Sequence, residues 1–367
     1  MMKPLRLIHS FVAIVNVFVT LSFIVAAFSD FVSPNKSLFF SYLGLLFPLF
    51  FIANFCFLLY WLIMRKWGHF FIVCCSFLLC WKPTTQYAPL HFSTEVTASD
   101  SLVKVLSYNV MSFGFKDHSS DKPNEILEYI ANSEADIVCL QEYMVSKTDD
   151  FLTSKKIREA LKMYSYHYNL PLIHYKKYSI GLAIFSKYPI LNSRKVRYDS
   201  SFNGSCIHEI NVNGKKVIVV NNHLESFKLT MDDRSKYSDF IKNMNAETFD
   251  GFRETVQRKL GSAFKIRAEQ AEIVAEEIAN LKSDYIIVCG DFNDTPISYA
   301  HRVIQGNSLV DAYAESGRGI GISYNQNFFW FRIDHILHSQ DMKSYNTTIE
   351  KITFSDHYPI WTYLEMN

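Results

Sequence analysis

The fold is decided by one stretch of sequence, Ser283-Asp-Tyr-Ile-Ile-Val-Cys-Gly-Asp-Phe-Asn-Asp-Thr-Pro296. Residues 285–289 form a compact apolar run rich in β-branched side chains, which predicts a buried central strand. The run stops at Gly290 and brings Asp291 and Asn293 to the carboxyl end of that strand, where open α/β folds place their chemistry. The simpler alternative is a polar turn that caps the strand before the next helix begins at Pro296.

The amino-terminal part of the chain contains three apolar stretches. Residues 7–29 and 37–64 are each long enough to cross a hydrocarbon core, which needs about 20 helical residues. The stretch 67–81 is shorter than the other two, but the tryptophans at both of its ends suit a membrane interface. We therefore expect residues 1–82 to be a membrane anchor of two to three transmembrane helices, with the bilayer as partner. A cleaved signal peptide is less consistent with the length of the first stretch and the second one close behind it.

The side of the membrane on which the rest of the chain lies depends on the third stretch. Basic residues precede the first stretch, at Lys3 and Arg6, and follow the second, at Arg65 and Lys66. Because basic loops stay in the cytoplasm, three spans place everything after Lys82 outside it, and two spans place it inside. We expect three spans.

Residues 102–367 form the large domain, and residues 83–101, rich in Thr and Ser and without periodicity, are expected to be a linker. In the domain, short β-branched runs alternate with helical patterns, and Asn213-Gly214 predicts a hairpin turn. Hairpins mixed with crossovers predict an α/β fold with two packed mixed sheets flanked by helices. Residues 226–260 are charged and poorly patterned, which is typical of irregular helix or a lid.

Charge and cysteine content limit the function classes. The net charge is +1, and residues 82–367 carry 32 Lys and Arg against 35 Asp and Glu, which gives no support for the basic face of a sequence-independent nucleic-acid binder. The domain has three cysteines, Cys139, Cys206 and Cys289. An odd number, with two in predicted core strands, indicates buried thiols rather than a disulfide framework.

Polar or ionisable side chains recur where the predicted strands of the domain end. They are Asn109, Glu142, His223, Asp291, Asn293, Asp334, Asp356 and His357. One such residue is ordinary at a strand end, but this set has the composition that phosphoryl transfer to water requires: groups that neutralise charge, position a water and stabilise the leaving oxygen. Carboxylates and carboxamides favour a hard ion such as Mg²⁺, with Mn²⁺ as a substitute.

The motifs around these residues resemble those of the endonuclease/exonuclease/phosphatase family, and they occur in that family's order. They are Ser107-Tyr-Asn109, Gln141-Glu142, Gly181-Leu-Ala-Ile-Phe-Ser-Lys-Tyr-Pro189, Asn221-Asn-His-Leu224, Gly290-Asp-Phe-Asn293, Arg332-Ile-Asp334 and Ser355-Asp-His357. The resemblance covers roughly residues 102–365. It implies a four-layered α/β sandwich and a metal-dependent phosphoesterase. With the amino-terminal helices, the chain is similar to a membrane-anchored, bacterial-type member of the family. Its anchor is then expected in an inner membrane, and its catalytic domain in the periplasm if three helices span that membrane.

The resemblance also implies a role for each residue. Metal ligation falls to Glu142, with Asn109 and Asp356 completing the metal side directly or through water. The remaining five residues have catalytic roles, which are to orient or deprotonate water, to hold the phosphate or to stabilise the transition state. They are Asp291, Asn293, His223, His357 and Asp334, and Asp334 acts by orienting His357. How Asp291 and His357 divide the role of base stays open.

Simpler alternatives exist for several of these residues. Asn109 and Asn293 would otherwise be turn residues, His223 a structural histidine, and Asp334 a partner of Arg332. Arg267 is expected to be a structural ion-pair partner. His335 and His338 are expected to be surface or core histidines, and residues 328–331 part of the core.

The substrate is a phosphate ester whose class stays open. Met111 counts against abasic-site repair and Asp294-Thr295 against inositol phosphatase activity, because the family's motifs for these activities differ there. A membrane tether favours a lipid or another membrane-proximal ester. The alternatives are a membrane-bound endo- or exonuclease and a catalytically silent binding module. No protein partner can be inferred.

Overall fold

The computed structural model describes the chain apart from single positions and short segments. Those outside it are residues 1, 98, 120, 150, 229–241, 244, 246–249, 251–252, 254–255, 325 and 327–329. Most of residues 226–260, where we expect irregular helix or a lid, therefore lies outside the described residues. Phe328 and Phe329 of the expected core run lie outside them too, and Trp330 beside them is 57% exposed.

The amino-terminal part is helical. Its helices are α1 (Met2–Ala27), α2 (Leu38–Leu45), α3 (Phe47–Ile63), α4 (Trp67–Leu79) and α5 (Trp81–Tyr87), with a 3-10 turn at Ser29–Phe31. Among the described residues one helix, Leu7–Ala27, is by itself long and apolar enough to cross a membrane. An anchor and a signal sequence share that property, so this helix is weak evidence for membrane association.

The other two predicted spans do not form as expected. The second is broken into α2 and α3, which meet at 56°. Pro48 explains the break, since it lies at the start of α3, lacks an N–H and disfavours helical geometry in the residue before it. The third, α4, has 13 residues. The structure thus does not support three spans, or the periplasmic location that we derived from them.

Polar side chains inside the apolar stretches join these helices to each other. Thr20 donates to Asn54 at 2.8 Å, and Asn54 donates to Ser76 at 2.9 Å, so that one chain of hydrogen bonds links α1, α3 and α4. The indole of Trp61 donates to Asn16 at 2.8 Å. Buried hydrogen bonds of this kind hold apolar helices in register, which accounts for the polar residues that interrupt the stretches.

The expected linker is docked on the domain rather than loose. Helix α5 contains its first residues, and the side chain of Gln86 donates to the carbonyl of Pro296 at 3.0 Å. Buried Arg332 donates to the carbonyl of Gln86, and Asn346 exchanges hydrogen bonds with the backbone of Thr94. The sequence pattern of residues 83–101 did not predict this docking, because the contacts are with distant parts of the chain.

Two six-stranded mixed sheets form the domain. The first has the order β11-β12-β1-β2-β4-β3 and the second β5-β6-β7-β8-β10-β9. The strands are β1 (Leu102–Asn109), β2 (Ile137–Ser146), β3 (Tyr166–His174), β4 (Tyr178–Ser186), β5 (Ile190–Lys195), β6 (Gly204–Val212), β7 (Lys215–His223), β8 (Tyr285–Asp291), β9 (Leu309–Asp311), β10 (Asp334–Ser339), β11 (Met342–Ile349) and β12 (Ile360–Met366). Each sheet has one parallel pair at its centre, β1 with β2 and β7 with β8.

Helices cover the outer face of each sheet. They are α6 (Glu125–Asn132), α7 (Ser154–Ala160), α8 (Gly261–Ala279) and α9 (Tyr299–Gln305). A further helix, α10 (Ala312–Ser316), contributes Ala312 and Tyr313 to the core between the sheets, and a 3-10 segment lies at Met111–Phe115 and a π-helical turn at Val256–Leu260. Side chains of β1 and β2 such as Val105 and Cys139 pack against Val219 and Cys289 of β7 and β8, which forms the core between the sheets. The four-layered sandwich that we expected is confirmed.

Close packing of the central strands depends on Gly290. Its φ is +130°, and a Cβ added there would lie 2.0 Å from the carbonyl oxygen of Asn222 on the neighbouring strand. A side chain is therefore excluded at the position immediately before Asp291. All three cysteines of the domain are buried and free, in agreement with the prediction.

Arg267 of α8 forms the buried ion pair that we expected of it. It is fully buried, its Nη1 lies 2.7 Å from Asp294 Oδ2, and its Nε donates to the carbonyl of Glu225 at 2.9 Å. We expect Arg267→Met to lower the free energy of unfolding by about 3–5 kcal/mol, because it leaves the Asp294 carboxylate buried without its partner. Chemical denaturation of the full-length chain in mild detergent measures this change.

Arg194→Met is the matched control, since Arg194 pairs with Glu277 at 2.6 Å on the surface. Exposed pairs contribute about 0–1 kcal/mol. Equal losses in the two variants would contradict the structural role of Arg267.

Candidate active site

The registers of three neighbouring strands bring the first part of the site together. His223 at the end of β7 is paired with Asp291 at the end of β8, and Asp291 is paired in turn with Asp334 at the start of β10. Residues paired across adjacent strands project to the same side of a sheet. The three side chains therefore lie in a row at one edge of the second sheet.

Glu142 reaches the cleft from the first sheet through a bulge. The register of β2 with β4 shifts between Leu140 and Tyr143, and Glu142 has a left-handed φ of 51°. A bulge of this kind redirects a side chain that regular alternation would place elsewhere. Such strained backbone is common where function needs it.

Two further segments close the site. Asn109 ends β1, and Asp356 and His357 lie in the loop before β12. Ser355 ties that loop to the strand end, because its hydroxyl donates to the carbonyl of Asn109 at 2.8 Å. All eight predicted site residues thus meet at one end of the sandwich, where the two sheets face each other.

His357 lies between two carboxylates. Its Nδ1–H donates to Asp334 Oδ2 at 2.8 Å, and its Nε2 lies 3.6 Å from Asp291 Oδ2. The same Asp291 oxygen lies 3.7 Å from Nε2 of His223, which is also 3.9 Å from Glu142 Oε1. Asp334 thus contacts His357, as the resemblance implies, and among the described residues it forms no ion pair with Arg332.

Asn109 holds the two sides of the cleft together. Its Nδ2 donates to Asp291 Oδ2 at 3.0 Å and to Glu142 Oε1 at 3.3 Å, and its Oδ1 accepts from the backbone N–H of Met111 at 3.1 Å. Both amide hydrogens are therefore used by carboxylates. This arrangement positions Glu142 and Asp291, a role that differs from the direct metal ligation among our expectations.

Asn293 is fixed by the same loop. Its backbone N–H donates to Asp291 Oδ1 at 2.8 Å, and its side-chain Nδ2 donates to the carbonyl of Leu224 at 3.0 Å. An amide nitrogen carries two hydrogens, so one N–H is left for a ligand.

Burial and neighbouring charges shift the protonation of the site. Burial alone would lower the pKa of His357, but the charges of Asp334 and Asp291 hold this pKa well above its usual range. Burial raises the pKa of Asp291 to about 6, and the charge of Asp334 adds to the rise. Around neutral pH the pair is thus an imidazolium beside a carboxylate.

Burial and neighbouring charges also shift the pKa values of His223 and Glu142. Burial lowers the pKa of His223, which favours its neutral ring, and the charge of His357 lowers this pKa as well. Burial raises the pKa of Glu142, and the charge of Asp356 raises it further. Two carboxylates that disfavour each other's charge across a cleft form a site that a cation would stabilise.

The cleft has a volume of about 250 Å³. Its lining includes six of the expected residues together with six that we did not expect, which are Ser226, Phe227, Lys228, Tyr324, Phe331 and Ile333. The only sequence signal for the first three was their place directly after the 221–224 motif. A second groove of about 450 Å³ shares Glu142 and His223 with the cleft and continues along Ile173, Ile180 and Phe202.

Two places in the cleft offer metal ligands. One ligand atom each of Asp291, Asp334 and His357 lie within 4.8 Å of one another. The imidazole already fills that space, however, with one nitrogen on Asp334 and the other facing Asp291. Glu142 and Asp356 offer carboxylate oxygens at a second place in the cleft, and oxygen donors suit Mg²⁺ or Mn²⁺.

Comparisons with known proteins agree with this geometry. The profile described as "Endonuclease/Exonuclease/phosphatase family" matches residues 106–357, and one described as "Domain of unknown function (DUF8431)" matches residues 9–87. No curated protein matches the chain. The family profile covers more than half of the chain, which is enough to assign the chain to that family.

Solved structures share the fold. An endonuclease/exonuclease/phosphatase from Beutenbergia cavernae DSM 12333 is 15% identical, with a TM-score of 0.51 over 73% of this chain and 72% of that chain. A humanized D. rerio TDP2 carrying 14 mutations is 14% identical, with a TM-score of 0.50 over 72% of this chain and 100% of that chain. The chain belongs to the endonuclease/exonuclease/phosphatase family, whose enzymes are hydrolases of phosphoester bonds and generally depend on divalent metal ions.

Proposed function

We propose that this protein is a membrane-associated, Mg²⁺-dependent phosphoesterase that hydrolyses its substrate by in-line attack of water. The observation that carries the proposal is the position of His357. It lies between Asp334 and Asp291, in an open cleft that Glu142 and Asp356 also line. Phosphoryl transfer needs this combination of a base, a cationic group and a hard-metal site around one reacting centre.

Asp291 is the group best placed to take the proton of the attacking water. Its Oδ1 is held by the N–H of Asn293, and its Oδ2 accepts from Asn109, so that the carboxylate has a fixed orientation. Its raised pKa of about 6 is close to the working pH, which makes it an effective base. Asn109 and Asn293 thereby act as positioning residues for this base.

The two histidines have different tasks. His357, kept cationic by Asp334 and Asp291, stabilises negative charge on the phosphoryl oxygens. His223, whose neutral ring is favoured, donates a hydrogen bond to a phosphate oxygen. Asn293 supplies its remaining N–H to the phosphate.

Mg²⁺ would be held by Glu142 and Asp356. Both supply carboxylate oxygens. The pKa of Glu142 is raised by burial and then by the charge of Asp356, so a bound cation would favour its ionised form. When bound, the metal supplies a positive charge that polarises the phosphoryl group and stabilises the leaving oxygen. The side chain of Asn109 keeps Glu142 directed into the cleft.

The substrate that suits the molecule best is a lipid or another membrane-proximal ester. The groove beside the cleft has an apolar wall of Ile173, Ile180 and Phe202, which can accept an apolar or aromatic portion of the leaving group. Helix α1 is long and apolar enough to cross a membrane. We propose α1 as the anchor, because association with a bilayer concentrates an enzyme near such esters.

A substrate panel tests the proposal. The full-length chain in mild detergent is assayed with phospholipids, inositol phosphates, DNA, RNA and aryl phosphate esters, each with Mg²⁺ and with chelator. We expect Mg²⁺-dependent hydrolysis, fastest for a lipid ester. Faster cleavage of DNA or RNA would replace the lipid proposal with a nuclease, and no hydrolysis of any substrate would indicate a binding module.

A further inference from the structure

A second cluster of buried ligating side chains lies on the far side of β10 from the cleft. It consists of His301 on α9, Asp311 at the end of β9 and His335 on β10. Their side chains are 0%, 1% and 1% exposed, and one ligating atom from each lies within 4.8 Å of the other two. The proposed catalytic mechanism uses none of these residues.

The geometry of the first pair fits a metal. His301 Nε2 lies 3.1 Å from Asp311 Oδ2. Two ligands of a tetrahedral ion with bonds of about 2.0–2.1 Å are separated by roughly 3.3 Å. The other oxygen of Asp311 accepts from the backbone N–H groups of Tyr313 and Ala314, which fixes the carboxylate with Oδ2 toward the histidine.

Asp311 is kept ionised, as a ligand must be. Burial would raise its pKa, but the hydrogen bond from His301 and the charge of Arg332 hold this pKa well below its usual range. Arg332 itself is engaged elsewhere, since it donates to the carbonyl of Gln86 and lies 4.3 Å from the centre of the Tyr313 ring.

His335 supplies the independent observation. Its Nε2–H donates to the carbonyl of Asp294 at 2.9 Å, which leaves the lone pair on Nδ1. That Nδ1 is buried and has no hydrogen-bond partner among the described residues. A metal-ligating histidine typically has this pattern, with one nitrogen donating to an oxygen and the other bearing a free lone pair. An unpartnered buried nitrogen is otherwise unfavourable.

A nearby pair shows the contrast. His338, three residues further along β10, has Nδ1 2.9 Å from the carbonyl of Ser339 and Nε2 3.0 Å from Glu315. Both of its nitrogens face oxygen acceptors, so that neither lone pair is free for a metal. His338 and Glu315 are therefore a structural pair, and the triad that contains His335 is a different kind of site.

We propose that His301, Asp311 and His335 bind a structural Zn²⁺ ion. Two imidazole nitrogens and one carboxylate favour a borderline ion such as Zn²⁺, in contrast to the oxygen-only donors of Glu142 and Asp356. On binding, the proton of the neutral His301 ring moves from Nε2 to Nδ1, which faces Gln86 3.3 Å away. The amide oxygen of Gln86 can accept a hydrogen bond from this Nδ1–H group once the amide turns.

The ion would join four parts of the molecule. Its ligands come from α9, β9 and β10, and through Gln86 it contacts the docked segment that leads to the amino-terminal helices. It would also fix β10 directly behind Asp334, the residue that orients His357. Its role is to stabilise the fold, and it is independent of the proposed activity.

Zinc binding is tested on the full-length chain in detergent, stripped with chelator and then given Zn²⁺ alone or Co²⁺ alone. We expect about one tightly bound Zn²⁺ per chain, a higher unfolding temperature with zinc, and the visible absorption of tetrahedral Co²⁺. His335→Phe and Asp311→Asn should each weaken binding by about 10-fold or more. Asp311→Asn keeps an oxygen for Tyr313 and Ala314, so it remains informative if His335→Phe fails to fold.

Two controls separate this site from others. His338→Gln removes a buried histidine outside the triad, and Glu142→Ala removes the expected ligand of the catalytic metal; both should retain the zinc. Failure to bind Zn²⁺, unchanged binding in His335→Phe and Asp311→Asn, or loss of the zinc in Glu142→Ala would each overturn the proposal.

Discussion

Replacing His357 with alanine is expected to lower kcat by about 10²- to 10³-fold, the loss typical when one group that stabilises charge developing in the transition state is removed. The variant removes the cation that lies 3.6 Å from Asp291 and 2.8 Å from Asp334. It also leaves those two buried carboxylates without the charge between them. Steady-state kinetics on the best ester from the panel measure the loss, with KM reported separately.

Two further variants show whether the loss is specific. Asp334→Asn keeps the shape of the residue that orients His357 but removes its charge, so we expect an intermediate fall in kcat and a lower pKa of His357 measured by NMR. His208→Gln is the control, because His208 is buried outside the cleft and contacts Ser193. If His357→Ala and His208→Gln lower kcat equally, His357 has no catalytic role.

Replacing Glu142 with alanine is expected to reduce the rate at least about 100-fold and to raise the Mg²⁺ concentration needed for half-maximal activity. Loss of groups that merely support a metal ligand already reduces affinity by about 10- to 100-fold, and Glu142 is the proposed ligand itself. The pKa of Glu142 is raised by burial and by the charge of Asp356, so a bound cation would favour the ionised form of Glu142. A Mg²⁺ titration of the rate separates weaker metal binding from slower chemistry.

The matched control is Glu209→Ala, since Glu209 lies on β6 and pairs with Lys216 at 3.3 Å, away from the cleft. It should leave the titration unchanged. A Glu142→Ala variant with the Mg²⁺ dependence of the unmodified chain would remove Glu142 from the metal site.

Much of the sandwich and of the site could be predicted from the sequence because both depend on local patterns. The apolar run 285–289 predicts β8, and its polar end predicts the edge at which Asp291 meets His223 and Asp334. Pairing between neighbouring strands brings these residues together at one edge of the sheet, whatever the loops that connect the strands. The ordered motifs supplied the remaining members of the site, and their roles stay predictions.

What could not be predicted depends on contacts between distant residues. The hydrogen bonds from Asn109 to Glu142 and Asp291, which suggest a positioning role, are set by a bulge in β2 and by the approach of the two sheets. The His301–Asp311 contact and the free nitrogen of His335 likewise arise only after three elements pack together.

The break in the second apolar stretch could not be predicted for a different reason. Hydropathy measures apolar length but not continuity, and the 37–64 stretch is broken before Pro48. The docking of Gln86 on the domain could not be predicted either, because its partners Pro296 and Arg332 are distant in sequence.

The most direct test of phosphoester hydrolysis by this cleft is the Mg²⁺ dependence of the rate at which the full-length chain, stripped with chelator, hydrolyses an aryl phosphodiester. We expect a negligible rate in chelator, saturable recovery with Mg²⁺, and no recovery in the Glu142→Ala, His357→Ala double variant. A rate that is the same with chelator and with Mg²⁺, or that persists in the double variant, would contradict the account.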